Sequence, residues 1–411
     1  MSNRRQGREP LFHIARRDSL AWHQAVLIRA VAIVLALCTC AVVIYGLTAM
    51  NPLEVYKAMI EGAVGTSRRL WTTIRDAATL LLIAVGITPA FKMRFWNIGA
   101  EGQVLVGGLA TAAVMIYGGG HLPQGVLMAC MVLASVAAGL VWGVIPAHFK
   151  ARYNTNETLF TLMLNYVAMQ LVTFAIVFWE NPKGSNTVGV IHQTAKYGWF
   201  PELLDQKYGW NVVIVLGLTL ALYLYMRFSK QGYEITVVGE SERTARYAGI
   251  NVGRVILRTM AISGAVCGLA GFVIVSGCSH TISTSTAGGR GFTAIIVSWL
   301  SKFNPLVMIL VSFFLVFMEK GATQIATQFK LNESASEVIT GIILFFILGC
   351  EFFCNYRVCM RREMCIRDRY GVCLRIVYHI SPGAHSEKST NREIERRKKR
   401  KKGERFKKRE L

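Results

Sequence analysis

The chain has 411 residues, 53% of them hydrophobic and 17% charged, with a mean hydropathy of +0.39. That balance excludes an ordinary pair of soluble domains and points to a polytopic membrane protein, built of helices because a bilayer cannot satisfy irregular backbone. The formal charge of +22 would suggest nucleic-acid binding in a soluble protein, but residues 359–411 carry 18 Lys and Arg against 7 Asp and Glu, half of that excess. The remainder is ordinary for cytoplasmic loops, so no nucleic-acid partner is expected.

Residues 1–24 form a basic N-terminal segment. The apolar run at 25–47 is too long for a cleaved leader and no small-x-small pattern follows it, so it reads as a retained membrane anchor. Further segments approaching the roughly 20 residues a bilayer requires lie at 77–91, 103–117, 126–147, 159–179, 212–226, 259–275, 284–300, 306–318 and 338–350. The expected fold is an all-α polytopic membrane bundle over residues 25–358, with about ten spans, eight at the least. Short or Gly-broken spans among them are the mark of helices that stop inside a transporter. With the N-terminus inside, cytoplasmic segments hold 14 Lys and Arg against 9 outside, which predicts that both termini are cytoplasmic. Cys38, Cys40, Cys130 and Cys267 fall in apolar runs without ligand spacing and read as small packing residues.

The stretch FWNIGAEGQVLVGG, at 95–108, sets Asn97, Glu101 and Gln103 in a region that otherwise resembles membrane, where a charge is costly. Lys92 and Arg94 put its start on the cytoplasmic side, and Gly99 and Gly102 permit a bend. Glu101 then reads either as a structural cap at a helix N-terminus or as a group lining a solute path that water reaches. In NTNETLFTLMLNYVAMQ, Asn156 is placed to cap the fifth span, while Thr158, Thr161 and Asn165 form one polar stripe. That stripe serves either interhelical hydrogen bonds or the path. The candidate path residues are therefore Asn97, Glu101, Gln103 and Asn165. The loop at 180–210 combines turn residues with aromatics and should be ordered, either to dock an outer partner or to pack over its own helices.

In GESERTARYAGINVGRV, Ser241 can cap a helix, Glu242 suits its first turn, and Gly249 supplies the stop, which predicts about two helical turns at 242–248. So short a helix is unstable alone in water, and Tyr247 and Ile250, expected to be exposed at its end, call for a groove in another protein. Gly264, Gly268 and Gly271 then recur at a spacing that lets a neighbouring helix approach closely. From residue 359 the composition changes to one expected to be disordered. There the string MCIRDRY resembles translated sequencing-adapter read-through, and residues 359–411 are assigned no function. No segment matches a P-loop, H-E-x-x-H or G-x-S-x-G, so neither catalytic residues nor a metal site is expected, and no cofactor on this chain.

NIGAEGQ, NETLFTLMLNYVA, ARYAGINVGR, SGAVCGLAGF and GGRGFTAIIVSWL follow one another in the order found in permease subunits of bacterial ABC importers. The chain resembles the branched-chain amino acid and ribose-type group of these permeases, and within it the nucleoside-uptake branch. The resemblance implies a multi-pass protein of the bacterial plasma membrane, in contact with membrane lipid and paired with a second related permease. It also implies an ATPase subunit that holds ATP and Mg, and an extracytoplasmic solute-binding protein or lipoprotein. It makes residues 240–251 the coupling helix, with Glu240, Arg243, Arg246, Tyr247, Gly249 and Ile250 as its contacts to the ATPase. One departure is that Thr293 follows Phe292 and SWLSKFNP comes next, where many relatives have an acidic residue and a Leu-Gly pair. A simple-sugar permease is the alternative within the class. A secondary transporter would need midplane charges, and the spans offer only Arg29, Arg258 and Glu101, all near helix ends.

Overall fold

A computed structural model describes residues 12–16, 22–48, 51–203, 206–330, 333–367 and 373–379. In chain order its elements begin with strand β1 (Phe12–Arg16) and helices α1 (Trp22–Thr48), α2 (Pro52–Val64), α3 (Ser67–Lys92), α4 (Ala100–Gly118), α5 (Gln124–Tyr153) and α6 (Glu157–Trp179). There follow α7 (Gly209–Phe228), α8 (Lys230–Glu240), α9 (Glu242–Tyr247), α10 (Val252–Ile274, extended by a π-helical turn), α11 (Arg290–Leu300), α12 (Pro305–Gln328), α13 (Glu333–Asn355), and strands β2 (Tyr356–Arg367) and β3 (Cys373–His379). The chain divides into two compact units, Thr39–Ile342 and the pair Met1–Cys38 with Ile343–Leu411.

Every apolar segment read from the sequence lies in or overlaps a helix, and eight helices among the described residues are long and apolar enough to cross a membrane. The expected span at 284–300 is cut to the 11 residues of α11, because Gly288 and Gly289 adopt left-handed backbone and start the helix only at Arg290. Two helices, α2 and α8, occupy stretches read as loop. Both carry local start signals: Asn51 accepts a hydrogen bond from the Leu53 N–H ahead of Pro52, and Ser229 accepts from that of Gly232. Caps of this kind are worth about 1 kcal/mol each.

In the larger unit α10 is the hub, packed against α3, α4 and α5. Its glycines do what their spacing predicts. A Cβ on Gly264 would strike the Gly139 carbonyl oxygen of α5, and one on Gly268 would strike that of Ser135. Backbones therefore touch, which is how helices gain packing energy where no water drives them together. Cys40 and Cys267 are buried and Cys130 half-buried, but Cys38 is exposed and is not the packing residue expected.

In the smaller unit β1, β2 and β3 form an antiparallel sheet in that order, with Phe12 opposite Met360 and Arg361 opposite His379. Residues 359–367 and 373–379 are thus strands where composition predicted disorder; the Leu, Ile and Val of CLRIVYH favour extended backbone. Residues 380–411 lie outside the described residues.

Candidate translocation centre and coupling helix

The stretch around Asn97 is a non-helical segment held deep among helices. At the end of α11, Trp299 stacks on Trp96, ring centroids 5.6 Å apart, beside Phe91. The 11 residues of α11 rise roughly 16 Å, about half of a hydrocarbon core near 30 Å thick. Residues 93–99 lead from α3 into α4, and α11 packs against both of those helices. Such backbone is tolerated in a membrane only when buried in protein or facing water. Here Met93, Phe95, Asn97 and Gly99 are buried, and the N–H groups of Asn97, Ile98 and Gly99 each have an acceptor.

Asn97 is fully buried; its amide nitrogen lies 3.4 Å from both Gln103 Oε1 and Ser263 Oγ, and its oxygen accepts from the Gly99 N–H at 3.0 Å. Asn165 Oδ1 accepts from the Gly102 N–H and its Nδ2 donates to the Ile98 carbonyl, both at 2.9 Å. Thr161 Oγ1 accepts from the Ile98 N–H at 3.2 Å. The polar stripe on α6 thus closes the orphan backbone groups of the entering segment, and the interhelical reading of Thr161 and Asn165 accounts for their geometry.

Glu101 caps another helix rather than its own. Its two carboxylate oxygens accept the Gly289 and Gly291 N–H groups at 2.7 Å each, at the positive N-terminus of α11. The glycine is required there, since a Cβ on Gly291 would meet the Glu101 backbone nitrogen. The expectation that water reaches Asn97 and Glu101 is not met: they are 0% and 7% exposed. Asn97, Glu101, Gln103 and Asn165 come together in one buried network that fixes the start of α4 to α6, α10 and α11.

Arg290, between the two glycines that Glu101 holds, turns to Asp76 on α3 at 3.3 Å. Asp76 also pairs with Arg75 at 2.8 Å and Lys320 at 2.7 Å, and Arg75 lies over the Tyr208 ring. One buried carboxylate so gathers three cations, an excess that sequence reading missed. Its signal was a charge directly abutting the apolar run at 77–91, and an Arg inside GGRGF. The view that the spans offer few interior charges is corrected accordingly.

Between α10 and α11, residues 280–289 descend to that centre as irregular chain rich in hydroxyls. Thr284, Ser285 and Gly288 are exposed. At its top His280 lies flat on Trp199, centroids 3.7 Å apart; burial, then the charge of Lys207, pushes its imidazole down to about 4. The described residues of the loop at 180–210, which do not include 204–205, pack over the chain's own helices. Gln124 of α5 accepts from the Gly198 N–H and donates to the Trp199 carbonyl.

At the other end of the bundle α9 shows the expected capping. Ser241 Oγ accepts the Thr244 N–H at 3.3 Å, the Ile250 N–H closes on the Ala245 carbonyl at 2.9 Å, and Gly249 sits at φ +77°. Ala245 is buried in a cluster with Met93, Phe95, Val252 and Ile256, which fastens α9 to the bundle. Tyr247 is 93% exposed, and Arg243 and Arg246 also face out. Ile250 is not exposed as expected but half-buried against the same cluster, and Glu240 ends α8 rather than belonging to α9.

The chain is 27% identical over 325 residues to the glucose ABC transporter permease protein TsgB13 of Haloferax volcanii, covering 75% of this chain and 83% of that protein. It is 28% identical over 296 residues to the guanosine ABC transporter permease protein NupP of Bacillus subtilis, covering 71% and 84%. With the nucleoside ABC transporter permease protein NupB of Lactococcus lactis it shares 27% over 307 residues, covering 72% and 84%. The family described as branched-chain amino acid transport system, permease component, matches residues 70–348, which include the buried polar network, the Asp76 cluster and α9. The chain belongs to that family and is a membrane-spanning permease subunit of an ABC importer.

Proposed function

We propose that this permease imports nucleosides and draws its power from a separate ATPase docked on α9. The observation that carries the coupling assignment is α9 itself. It is a six-residue helix too short to stand alone, capped at both ends, anchored through Ala245, and presenting Tyr247 almost fully exposed. The sequence holds no P-loop, so ATP and Mg belong to that partner. Glu240, Arg243, Arg246 and Tyr247 form the contact surface, while Gly249 and Ile250 set its shape. A second related permease and an extracytoplasmic binding protein complete the importer, and both termini face the cytoplasm, as the Lys and Arg bias supports.

Asn97, Glu101, Gln103 and Asn165 act on the solute path as positioning residues. The exposed hydroxyls of Thr284 and Ser285, on the irregular chain between α10 and α11, line it, since such backbone in a membrane faces water wherever protein does not bury it. Solute choice rests on the nucleoside and guanosine permeases among the relatives. A sugar substrate is the second reading, favoured by the similarity to the glucose permease, and the hydroxyl-rich lining suits the sugar moiety common to both.

The test uses the reconstituted complex. Gly249→Val strains a left-handed position and Arg246→Glu sets a negative charge near the negative end of α9. Both should abolish solute-stimulated ATP hydrolysis while the binding protein still docks. Normal coupling and normal retention of the ATPase in both variants would remove α9 as the contact. Competition of labelled guanosine uptake by unlabelled nucleosides but not by glucose supports the solute assignment; the reverse order overturns it. Uptake without any ATPase would indicate a secondary transporter.

A further inference from the structure

The link from α3 to α4 sends successive side chains to different neighbours. Met93 and Phe95 are buried in the cluster that holds Ala245 of α9, with Ile250 packed against it. The adjoining α8 is fixed there too, since a Cβ on Gly239 would strike the Lys92 carbonyl oxygen. Trp96, the next residue after Phe95, stacks instead on Trp299 of α11, with the ring planes 21° apart. Five residues further on, Glu101 holds the opposite end of the same helix through the Gly289 and Gly291 N–H groups. Residues 96–101 thus grip both ends of α11, and they follow directly on the residues against which α9 is seated.

The chain at 280–289 runs into the first turn of α11. Its far end is tied to the outer loop: the Ile191 N–H donates to the His280 carbonyl at 2.9 Å, and the His280 ring lies on Trp199. Left-handed backbone brackets the stretch, at His280 with φ +53° and at Gly288 and Gly289 with φ +59° and +72°. A few residues at the ends of elements are where a chain absorbs a rotation. A displacement of α11 relative to the outer loop is then taken up between residues 281 and 289, where Thr284 and Ser285 are exposed.

We propose that Phe95 and Trp96 are positioning residues of the import cycle: Phe95 follows α9 as the ATPase engages it, Trp96 passes the shift to Trp299, and α11 alters the exposure of Thr284 and Ser285. Packed side chains and rigid elements of this kind carry coupling between distant sites when they have two arrangements. The contacts are buried on the α9 side, whereas Trp96 and Trp299 are 46% and 43% exposed, so the stack can be removed without opening the core. The route rests on α9 as the ATPase contact and is independent of which solute is carried.

The experiment follows maleimide labelling of Thr284→Cys in the reconstituted complex, read on its own peptide by mass spectrometry, with a non-hydrolysable ATP analogue and without nucleotide. With both indoles in place the labelling rate should change about tenfold on nucleotide binding, within the range usual for coupled sites. Trp96→Ala and Trp299→Leu should each remove most of that change while the ATPase co-purifies as before, and Trp96→Phe should restore it. A stack that only packs the fold would lower the melting temperature in these variants and leave the nucleotide response intact, which overturns the proposal. So does a response absent with both indoles in place, or loss of the ATPase from Trp96→Ala and Trp299→Leu. Arg246→Glu judges the docking reading separately. If it leaves ATPase retention and the nucleotide response normal, α9 is not the contact and the route falls with it; if it abolishes the response while Trp96→Ala responds normally, the route alone fails.

Discussion

Glu101→Gln keeps the size of the side chain and removes its charge, so it isolates the clamp between α4 and α11. In the wild type two short hydrogen bonds, 2.7 Å each, join one carboxylate to the Gly289 and Gly291 N–H groups. Bonds to a charged group contribute about 1.5–3 kcal/mol each, against about 1 kcal/mol for a neutral pair. The glutamine oxygen satisfies one N–H without charge assistance, and its amide turns a donor toward the other, which is then buried and unpaired. The expected loss is about 2–4 kcal/mol. For a domain of this size that is roughly 5–10 °C in apparent melting temperature. The assay is thermal unfolding of the purified complex in detergent at fixed scan rate, run beside solute uptake in proteoliposomes. Both should fall, because α11 loses its upper fixation and Arg290 its alignment to Asp76. A variant with unchanged melting and altered uptake would mean that Glu101 faces the solute, and the clamp argument would be wrong.

Asp76→Asn leaves Arg75, Arg290 and Lys320 without their carboxylate and should cost about 3–5 kcal/mol, much of it recovered by adding Lys320→Met; folded yield by fluorescence size exclusion would report both. Gly268→Ala should force α10 away from α5 and cost about 1–3 kcal/mol, whereas Gly217→Ala, with nothing within 4 Å, should be neutral in the same melting assay. His280 has a folded pKa of about 4, below its ordinary value, so the unfolded chain binds more protons in the interval between. Its contribution to stability is present above about pH 6.5 and is lost as pH falls through about 4. His280→Asn, tolerant of left-handed backbone, should flatten the fall in melting temperature over that interval; an unchanged slope would assign it to other groups.

What could be read from the sequence divides by range. The α9 caps and the Gly249 stop are signals spanning a few residues, and they appear in the structure as predicted. The ten apolar segments were legible because the bilayer sets their composition and minimum length. The helices α2 and α8 had equally local signals, Asn51 with Pro52 and Ser229, but are not apolar enough to register in a search for spans. Nothing local tells that Glu101 caps a helix 188 residues further on, or that Asp76 is shared by Arg290 and Lys320. Glu101 was visible as an anomaly whose two readings, helix cap and path lining, the sequence left open; what the structure adds is the pair of distant N–H groups that its carboxylate accepts. The exposure expected of Ile250 failed for a related reason: the cluster it packs against draws in Met93 and Phe95 from the segment after α3, which no spacing rule reveals.

The wide separation of Asp76 from its cations has a bearing on how the chain is made. Arg290 follows it by 214 residues and Lys320 by 244. At a synthesis rate of about 5–20 residues per second, the carboxylate waits roughly 10–50 s with only its neighbour Arg75 for company. During that interval α3 lacks two of the three cations that meet its carboxylate, and the arrival of α11 and α12 supplies them. Ribosome-bound chains arrested before residue 290 should therefore show α3 open to protease or to aqueous labelling at a cysteine placed beside Asp76, and chains arrested well beyond residue 320 should show it closed.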